Sequence, residues 1–332
     1  MDLENFPKTL QEVIRHFDAD TAHSFFVSLR WPDGVHCPRC DGERLSFIRS
    51  RKVWTCMDCK TQKQFSVKVG TIFECSPIKL DKWFAAMWML CNAKNGISSY
   101  EIHRALGVTQ KTAWFMMHRI RVAMQTGSFV KSSLTGTVEV DESYIGGKGR
   151  FMHQKTKERR GIKGCGMAGK TAVMGLLQRH TAKEPVSKII AEVLPTTHKA
   201  ELLSRIKKYV LKDSEVQSDA LSHYNDVRKD FNHKVVDHAE CYVKDGVHTN
   251  GLENFWSLLK RGIKGTYISV EPFHLFRYLS EQVFRFNERK HEDGDQGRFL
   301  NIAGNVFGKR LTYKKLIGAE GTSQGDYLPT PA

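Results

Sequence analysis

At 332 residues the chain is long enough for two or three domains and one sizeable core, and 40% hydrophobic with 26% charged residues is ordinary for a globular protein. No stretch reaches the roughly 18 consecutive apolar residues of a membrane helix, and Met1-Asp2-Leu3-Glu4-Asn5 is no signal peptide, so the protein is expected to stay in the compartment where it is made. Lys plus Arg number 51 against 36 Asp plus Glu, and the net charge of +15 suits contact with a phosphate backbone.

Residues 1–30 read as a helical lead-in, with Phe6, Leu10, Val13, Ile14 and Phe17 at helical spacing. Residues 31–70 turn to Gly, Cys and basic side chains with strand-like fragments around Leu45–Ile48 and Lys52–Thr55, a segment too poor in apolar matter to fold unaided. It carries Cys37-Pro38-Arg39-Cys40 and Cys56-Met57-Asp58-Cys59, two Cys-x2-Cys knuckles with fifteen residues between them. Four thiolates at this spacing surround one tetrahedral zinc and leave no open position, so the metal is read as structural and its binding energy as what folds the segment. Redox dithiols are the other reading, but neither pair has a thioredoxin-like strand-helix context. The other four cysteines, Cys75, Cys91, Cys165 and Cys241, are scattered singly, which argues against a disulfide framework. The ribbon is expected to present Arg39, Arg44, Arg49, Arg51, Lys52, Lys60 and Lys63 together with Trp54 and Phe65, a surface fit for DNA or for a protein contact.

Residues 79–126 look helical throughout. A serine-capped helix opens in the run Gly96–Ile102, and a turn at Leu106-Gly107-Val108 leads into a second helix capped by Thr109. Ile102, Leu106, Val108, Ala113 and Met117 fall where a small helical core would bury them. Gln110, Lys111 and Thr112 are expected outside, where side chains reach base edges or phosphates, with His118, Arg119 and Arg121 added further along. This is the outline of a helix-turn-helix, although a plain helical hairpin scans similarly.

From Thr135 strands and helices alternate. Strands are expected at Gly136–Asp141, Thr171–Leu177, Lys188–Leu194, Val216–Ala220 and Lys234–Val236, with helices at Lys199–Leu211 and Gly251–Arg261. Gly146–Lys170 is a basic, glycine-rich insert, and residues 318–332 read as a disordered tail. Val138-Glu139-Val140-Asp141-Glu142 and Val216-Gln217-Ser218-Asp219-Ala220 each place an acid at a strand end, and Glu253 lies on a helix whose apolar face is Leu252, Phe255, Trp256 and Leu259. Two strand ends facing one helix bring three carboxylates together, hard oxygen ligands suited to Mg2+ or Mn2+ and to in-line phosphoryl transfer. His248 is read as a structural histidine rather than a ligand.

These motifs carry a family resemblance. The run Val138 to Lys148, the pair Ser218-Asp219 and the run His248 to Gly262 with its Asn-x2-Glu-Asn-Phe-Trp-Ser-x2-Lys-Arg, together with the cysteine quartet, resemble a bacterial insertion-sequence transposase of the DDE type with an N-terminal zinc ribbon. The likeness spans roughly residues 10–310. It implies an RNase H-like catalytic domain over 135–310, a mixed sheet flanked by helices, with Mg2+ or Mn2+ held by Asp141, Asp219 and Glu253, the last two 34 positions apart. Some members have Asn at the third position, and Asn250 lies three residues before Glu253 on the same helical face. Lys260, two turns beyond Glu253, and Lys148, Arg150 and the basic run to Lys170 are expected on the DNA backbone. The resemblance implies cleavage and joining of double-stranded DNA at element ends by a dimer or larger assembly, in the bacterial cytoplasm at the nucleoid. A silent DNA-binding regulator and a nuclease or resolvase on the same core are the alternatives.

Overall fold

The structure, a computed structural model, describes residues 6–125, 133–147, 152–159, 169–182, 184–219, 222–236 and 247–319. Lys148, Arg150, Cys165, Cys241, much of the basic insert and the tail from residue 320 lie outside the described residues. Two compact units divide the chain: residues 6–125 with 291–319 form one, and residues 133–290 the other. The chain leaves the second unit at Lys290 and returns to the first.

In the first unit, helix α1 (Leu10–His16) opens with a capping box of Thr9 and Glu12, and α2 (Ala19–Arg30) is capped by Asp18, whose carboxylate accepts the backbone N–H groups of Asp20 and Thr21. Strands β1 (Leu45–Ile48), β2 (Val53–Cys56) and β3 (Gln64–Ser66) form an antiparallel three-stranded sheet. Helix α3 (Leu80–Asn92) is buried almost all round, with Trp83, Phe84, Ala86, Met87 and Leu90 at most 1% exposed. A helix apolar on every side belongs at the centre of a core. Among the described residues no helix is long and apolar enough to cross a membrane.

Helix α4 (Ser99–Leu106) starts on a capping box of Ser98 and Glu101 and stops at Gly107, which takes the left-handed conformation (φ 61°). Helix α5 (Gln110–Met124) follows at once, capped by Thr109, whose hydroxyl accepts from the Thr112 N–H.

The second unit is built on a five-stranded sheet. Strand β4 (Thr137–Ile145) is followed by α6 (Gln154–Arg159), β5 (Thr171–Gln178), β6 (Lys188–Val193), α7 (Lys199–Tyr209), β7 (Glu215–Asp219), a 3-10 segment at Ser222–Lys229 and β8 (Asn232–Val236). Spatial order is β6-β5-β4-β7-β8, with β4, β5 and β6 antiparallel and β4, β7 and β8 parallel. A three-stranded meander extended by two parallel strands on the side of its first member is the RNase H-like arrangement expected. Helices α8 (Asn250–Arg261) and α9 (Leu275–Asn287) complete the unit, while α10 (Gly294–Gly304) and α11 (Tyr313–Leu316) belong to the first.

Strand alternation gives the sheet two cores. Val138, Val140, Met174, Leu176 and Val216 bury on one face with Leu202 and Ile206 of α7 and with Tyr224. Val173, Leu177 and Ile189 bury on the other with Leu252, Phe255, Trp256 and Leu259 of α8 and Leu279 of α9.

Candidate active site and zinc ribbon

The same alternation aims the acids. Register partners Thr137↔Glu215, Val138↔Val216 and Glu139↔Gln217, continued by two residues, set Asp141 beside Asp219 on neighbouring parallel strands. Odd-numbered residues of β4 face α8, so Asp141 and Asp219 share that face, and Glu253 lies in the first turn of α8. Asp141 is not at a strand end, since β4 runs on to Ile145; the strand that ends there is β7, at Asp219. That termination opens the sheet beside Asp141.

Asp141 accepts hydrogen bonds from the Trp256 indole Nε1–H at 2.9 Å and the Glu142 backbone N–H at 2.8 Å. Burial pushes its carboxyl up to about 6; the indole opposes this, and the charges of Asp219 and Glu253 add to it. Asp141 thus feels the charge of both other acids. Asn250 is the exposed first residue of α8 and Glu253 is exposed one turn on.

Several residues not singled out in the sequence hold this arrangement. Glu139, two before Asp141 on the same face, is 1% exposed and accepts from Arg179 Nε at 2.7 Å and from the Leu252 N–H of α8 at 3.0 Å. Arg179 Nη2 also reaches Gln217 Oε1 at 2.8 Å, His248 Nδ1 at 2.7 Å and the His248 carbonyl at 2.6 Å. His248 is thus a member of this network, its imidazole pushed down by burial and by Arg179. The alternation Val138-Glu139-Val140-Asp141 was the available signal, since it puts both acids on one face. Glycines let the helix approach: a Cβ on Gly251 would lie 2.8 Å from Glu139 Oε2, and one on Gly175, the register partner of Asp141, 2.6 Å from Leu252 Cδ2 and 2.8 Å from Trp256 Cζ2. Glu142 projects to the opposite face, where Tyr224 donates to it, and burial with the charges of Asp141 and Asp219 raises its carboxyl to about 7.

Lys260, near the end of α8, lines a groove with Lys170. The helix-turn-helix residues lie in the other unit. There Gln110 donates to Ser99 Oγ at 2.9 Å, Lys111 lies 4.7 Å from the Tyr313 ring centroid, and the Thr112 hydroxyl is 2.8 Å from that of Thr109. Arg119 departs from expectation. It is 5% exposed and donates to the carbonyls of Leu311 (3.1 Å) and Glu74 (3.0 Å), while His118 and Arg121 are fully buried. The second half of α5 faces the core of its unit, which places these side chains inside it and not on the surface where they were expected.

The four ribbon sulfurs lie within 4.8 Å of one another. Pairs Cys37–Cys59, Cys40–Cys56 and Cys40–Cys59 are 3.7, 3.5 and 3.4 Å apart. A tetrahedron with zinc–sulfur bonds of about 2.3 Å has edges of about 3.8 Å, so the quartet fits one ion. Burial opposes ionisation of Cys37, but N–H groups of Arg39 and Cys40 hold its thiol down at about 7, toward the thiolate a metal needs. Trp54 and Phe65, expected on the ribbon surface, are 7% and 2% exposed and stack at 5.7 Å on the inside, with Trp31 against both. So small a sheet must use its large rings as core; the exposed ring is Phe47, at 42%.

Comparison with known proteins agrees with both halves. Residues 18–62 match the model of a transposase zinc-ribbon domain, and residues 133–287 that of the ISXO2-like transposase domain. A protein of the transposable element ISH50 in Halobacterium salinarum is 30% identical over 257 residues, covering 72% of this chain and 81% of that one. A transposase-like protein of Haemophilus influenzae is 31% identical over 102 residues, 30% of this chain and 81% of that protein. With a cysteine quartet fitted to structural zinc and an RNase H-like sheet, the chain belongs to the ISXO2-like insertion-sequence transposases that carry an N-terminal zinc ribbon.

Proposed function

We propose that the chain cuts and rejoins double-stranded DNA at the ends of an insertion sequence, with Asp141, Asp219 and Glu253 as the carboxylates of the reacting centre. The observation that carries this reading is the common face: two acids in register on adjacent parallel strands, below a helix that supplies the third. A carboxyl pushed up by burial, with acidic neighbours adding to the shift, belongs to a donor set short of positive charge, which suits Mg2+ or Mn2+. Ions bound there would supply a Lewis acid for activating water or a 3′ hydroxyl and for stabilising the leaving oxygen. The chain's own contribution is placement. Trp256 holds one oxygen of Asp141, Glu139 anchors the start of α8, and the buried tryptophan face fixes the rotation that turns Glu253 toward the two strand acids.

Glu253 rather than Asn250 takes the third role, because its charge is felt at Asp141 and a carboxylate binds a divalent ion more strongly than an amide. Lys260 contacts the DNA backbone, and Gln110, Lys111 and Thr112 serve end recognition. Holding two ends at once calls for a dimer or larger assembly. The test is cleavage and strand transfer on labelled duplexes carrying the flanking inverted repeats, with Mg2+ or Mn2+. Nicking and joining should vanish in Asp141→Ala and Glu253→Gln and persist in Asn250→Ala; the reverse pattern for the last two moves the third role to the asparagine. Specific binding without chemistry in the unsubstituted protein would leave a DNA-binding regulator.

A further inference from the structure

Beyond α8 the chain does something unusual. The helix runs into a π-helical turn at Gly262–Tyr267, and the next residue, Ile268, has φ 62° and ψ −56°. The Ser269 N–H donates to the Tyr267 carbonyl at 2.6 Å, closing a γ-turn with Ile268 at its apex. A β-branched residue with positive φ is a steric outlier, and such strain gathers where a protein works. Ile268 is also 80% exposed, although it is a large apolar side chain. Neither local backbone preference nor burial accounts for isoleucine at this position.

Its surroundings are basic and concave. Ile268 borders a groove of about 760 Å3 lined also by Lys170, Lys260, Lys264, Tyr144 and the Gly146–Gly147 backbone. Such a volume lies within the roughly 300–1,000 Å3 of pockets that enclose small molecules, a nucleotide included. The three lysines make the groove basic, and among the described residues Glu271 is the one acid that lines it. The groove shares two elements with the acids. Tyr144 follows Asp141 by three residues on β4, about 10 Å, and Lys260 follows Glu253 by seven on α8, again about 10 Å. That distance is about three base steps of 3.4 Å.

We infer that Ile268 is a wedge that enters the base stack of the element end within a few steps of the cut phosphate, while the lysine-lined groove receives the displaced nucleotide and its phosphates. Apolar wedges of this kind unstack a step, and an extruded base is held in a pocket beside them. The γ-turn presents the side chain outward ahead of binding, so the strain is carried by the free protein. No bond is made or broken in the step. This inference rests on the proposed action at DNA ends.

The test uses the full zinc-loaded chain at saturating concentration on end duplexes carrying 2-aminopurine at each position within four of the cut, without magnesium or manganese. One position should brighten severalfold with the unsubstituted protein and with Ile268→Leu, and stay within about twofold of free duplex with Ile268→Ala. An abasic residue at that position should restore nicking by Ile268→Ala once Mg2+ is added. Lys170→Ala and Lys264→Ala should each reduce the salt slope of binding by about one. Equal brightening in Ile268→Ala, unchanged slopes in both lysine variants, or no bright position on an end that is bound and nicked would overturn the wedge and leave the transposase reading standing. A chain that neither binds nor nicks the ends overturns both.

Discussion

Replacing Asp141 by Asn should stabilise the protein when magnesium and manganese are absent, and abolish its stabilisation by them. The asparagine carbonyl can still accept from the Trp256 indole at 2.9 Å, while its amide nitrogen cannot accept from the Glu142 N–H, so the charge is removed with the shape and one of the two hydrogen bonds kept. In the folded protein the Asp141 carboxyl is raised from 3.8 to about 6, so the native state holds its proton more tightly than the unfolded chain does. The associated stability is complete below pH 3.8 and is lost as pH rises through about 6. At 1.36 kcal/mol per tenfold change in proton affinity, the loss above pH 6 is at most about 3 kcal/mol. Sharing of the proton with nearby acids and residual solvent lower it to about 1–3 kcal/mol, or about 3–8 °C for a unit of this size. Differential scanning fluorimetry of the zinc-loaded variant should therefore show a higher Tm than the parent at pH 8, with the gap closing by pH 4. Millimolar Mn2+ should raise the parent's Tm at pH 8 and leave the variant's unmoved. A variant that is destabilised equally at every pH, or that gains as much from Mn2+ as the parent, would refute the account of Asp141 as an uncompensated buried charge awaiting a cation.

Three further outcomes follow from the packing. Substituting Cys56 by Ser, or stripping zinc with a tight chelator, should unfold the ribbon, read as loss of the near-UV circular dichroism of Trp31 and Trp54; one zinc per chain should be released on thiol modification. Gly175→Ala should cost about 1–3 kcal/mol in urea unfolding, because its Cβ would lie 2.6 Å from Leu252 and 2.8 Å from Trp256 in a filled core. Glu139→Leu should cost about 3–5 kcal/mol by leaving the Arg179 charge without its carboxylate partner, and the double variant Glu139→Leu/Arg179→Met should recover a large part of that loss.

Much of the second unit was legible because its residues obey one rule each. Short apolar or alternating runs marked every strand of this unit to within a few residues, and the apolar face Leu252, Phe255, Trp256, Leu259 marked α8. Asp141 and Asp219 stand out in the sequence for the same reason, as polar interruptions in those runs, and the register sets them side by side. Local pattern does not reveal which strands become neighbours. That Asp141 continues the register to Asp219 depends on β7 inserting beside β4, a matter of topology. Burial of Arg119, Trp54 and Phe65 was missed on related grounds. An arginine late in an amphipathic helix reads as a DNA contact until the carbonyls of Glu74 and Leu311, distant in sequence, are seen to receive it. A ring on a metal ribbon reads as a surface until the smallness of its core is weighed.

The division of charge along β4 separates an acid that clamps α8 from the one proposed to take part in the chemistry. Glu139 and Asp141 share a face and differ by one pleat, yet their partners differ in kind. Glu139 takes the Arg179 guanidinium at 2.7 Å and is neutralised as part of the clamp on α8. Asp141 receives an indole N–H and a backbone N–H, donors that fix its oxygens without cancelling their charge. Had the arginine reached one pleat further, the carboxyl at 141 would be held low and its affinity for a divalent ion reduced by the competing cation. Stopping the guanidinium at Glu139 keeps the negative potential of the site intact while still anchoring the helix that carries Glu253. The cost of that uncompensated charge is what the Asp141→Asn experiment measures, and it is the same charge that a bound metal ion would offset.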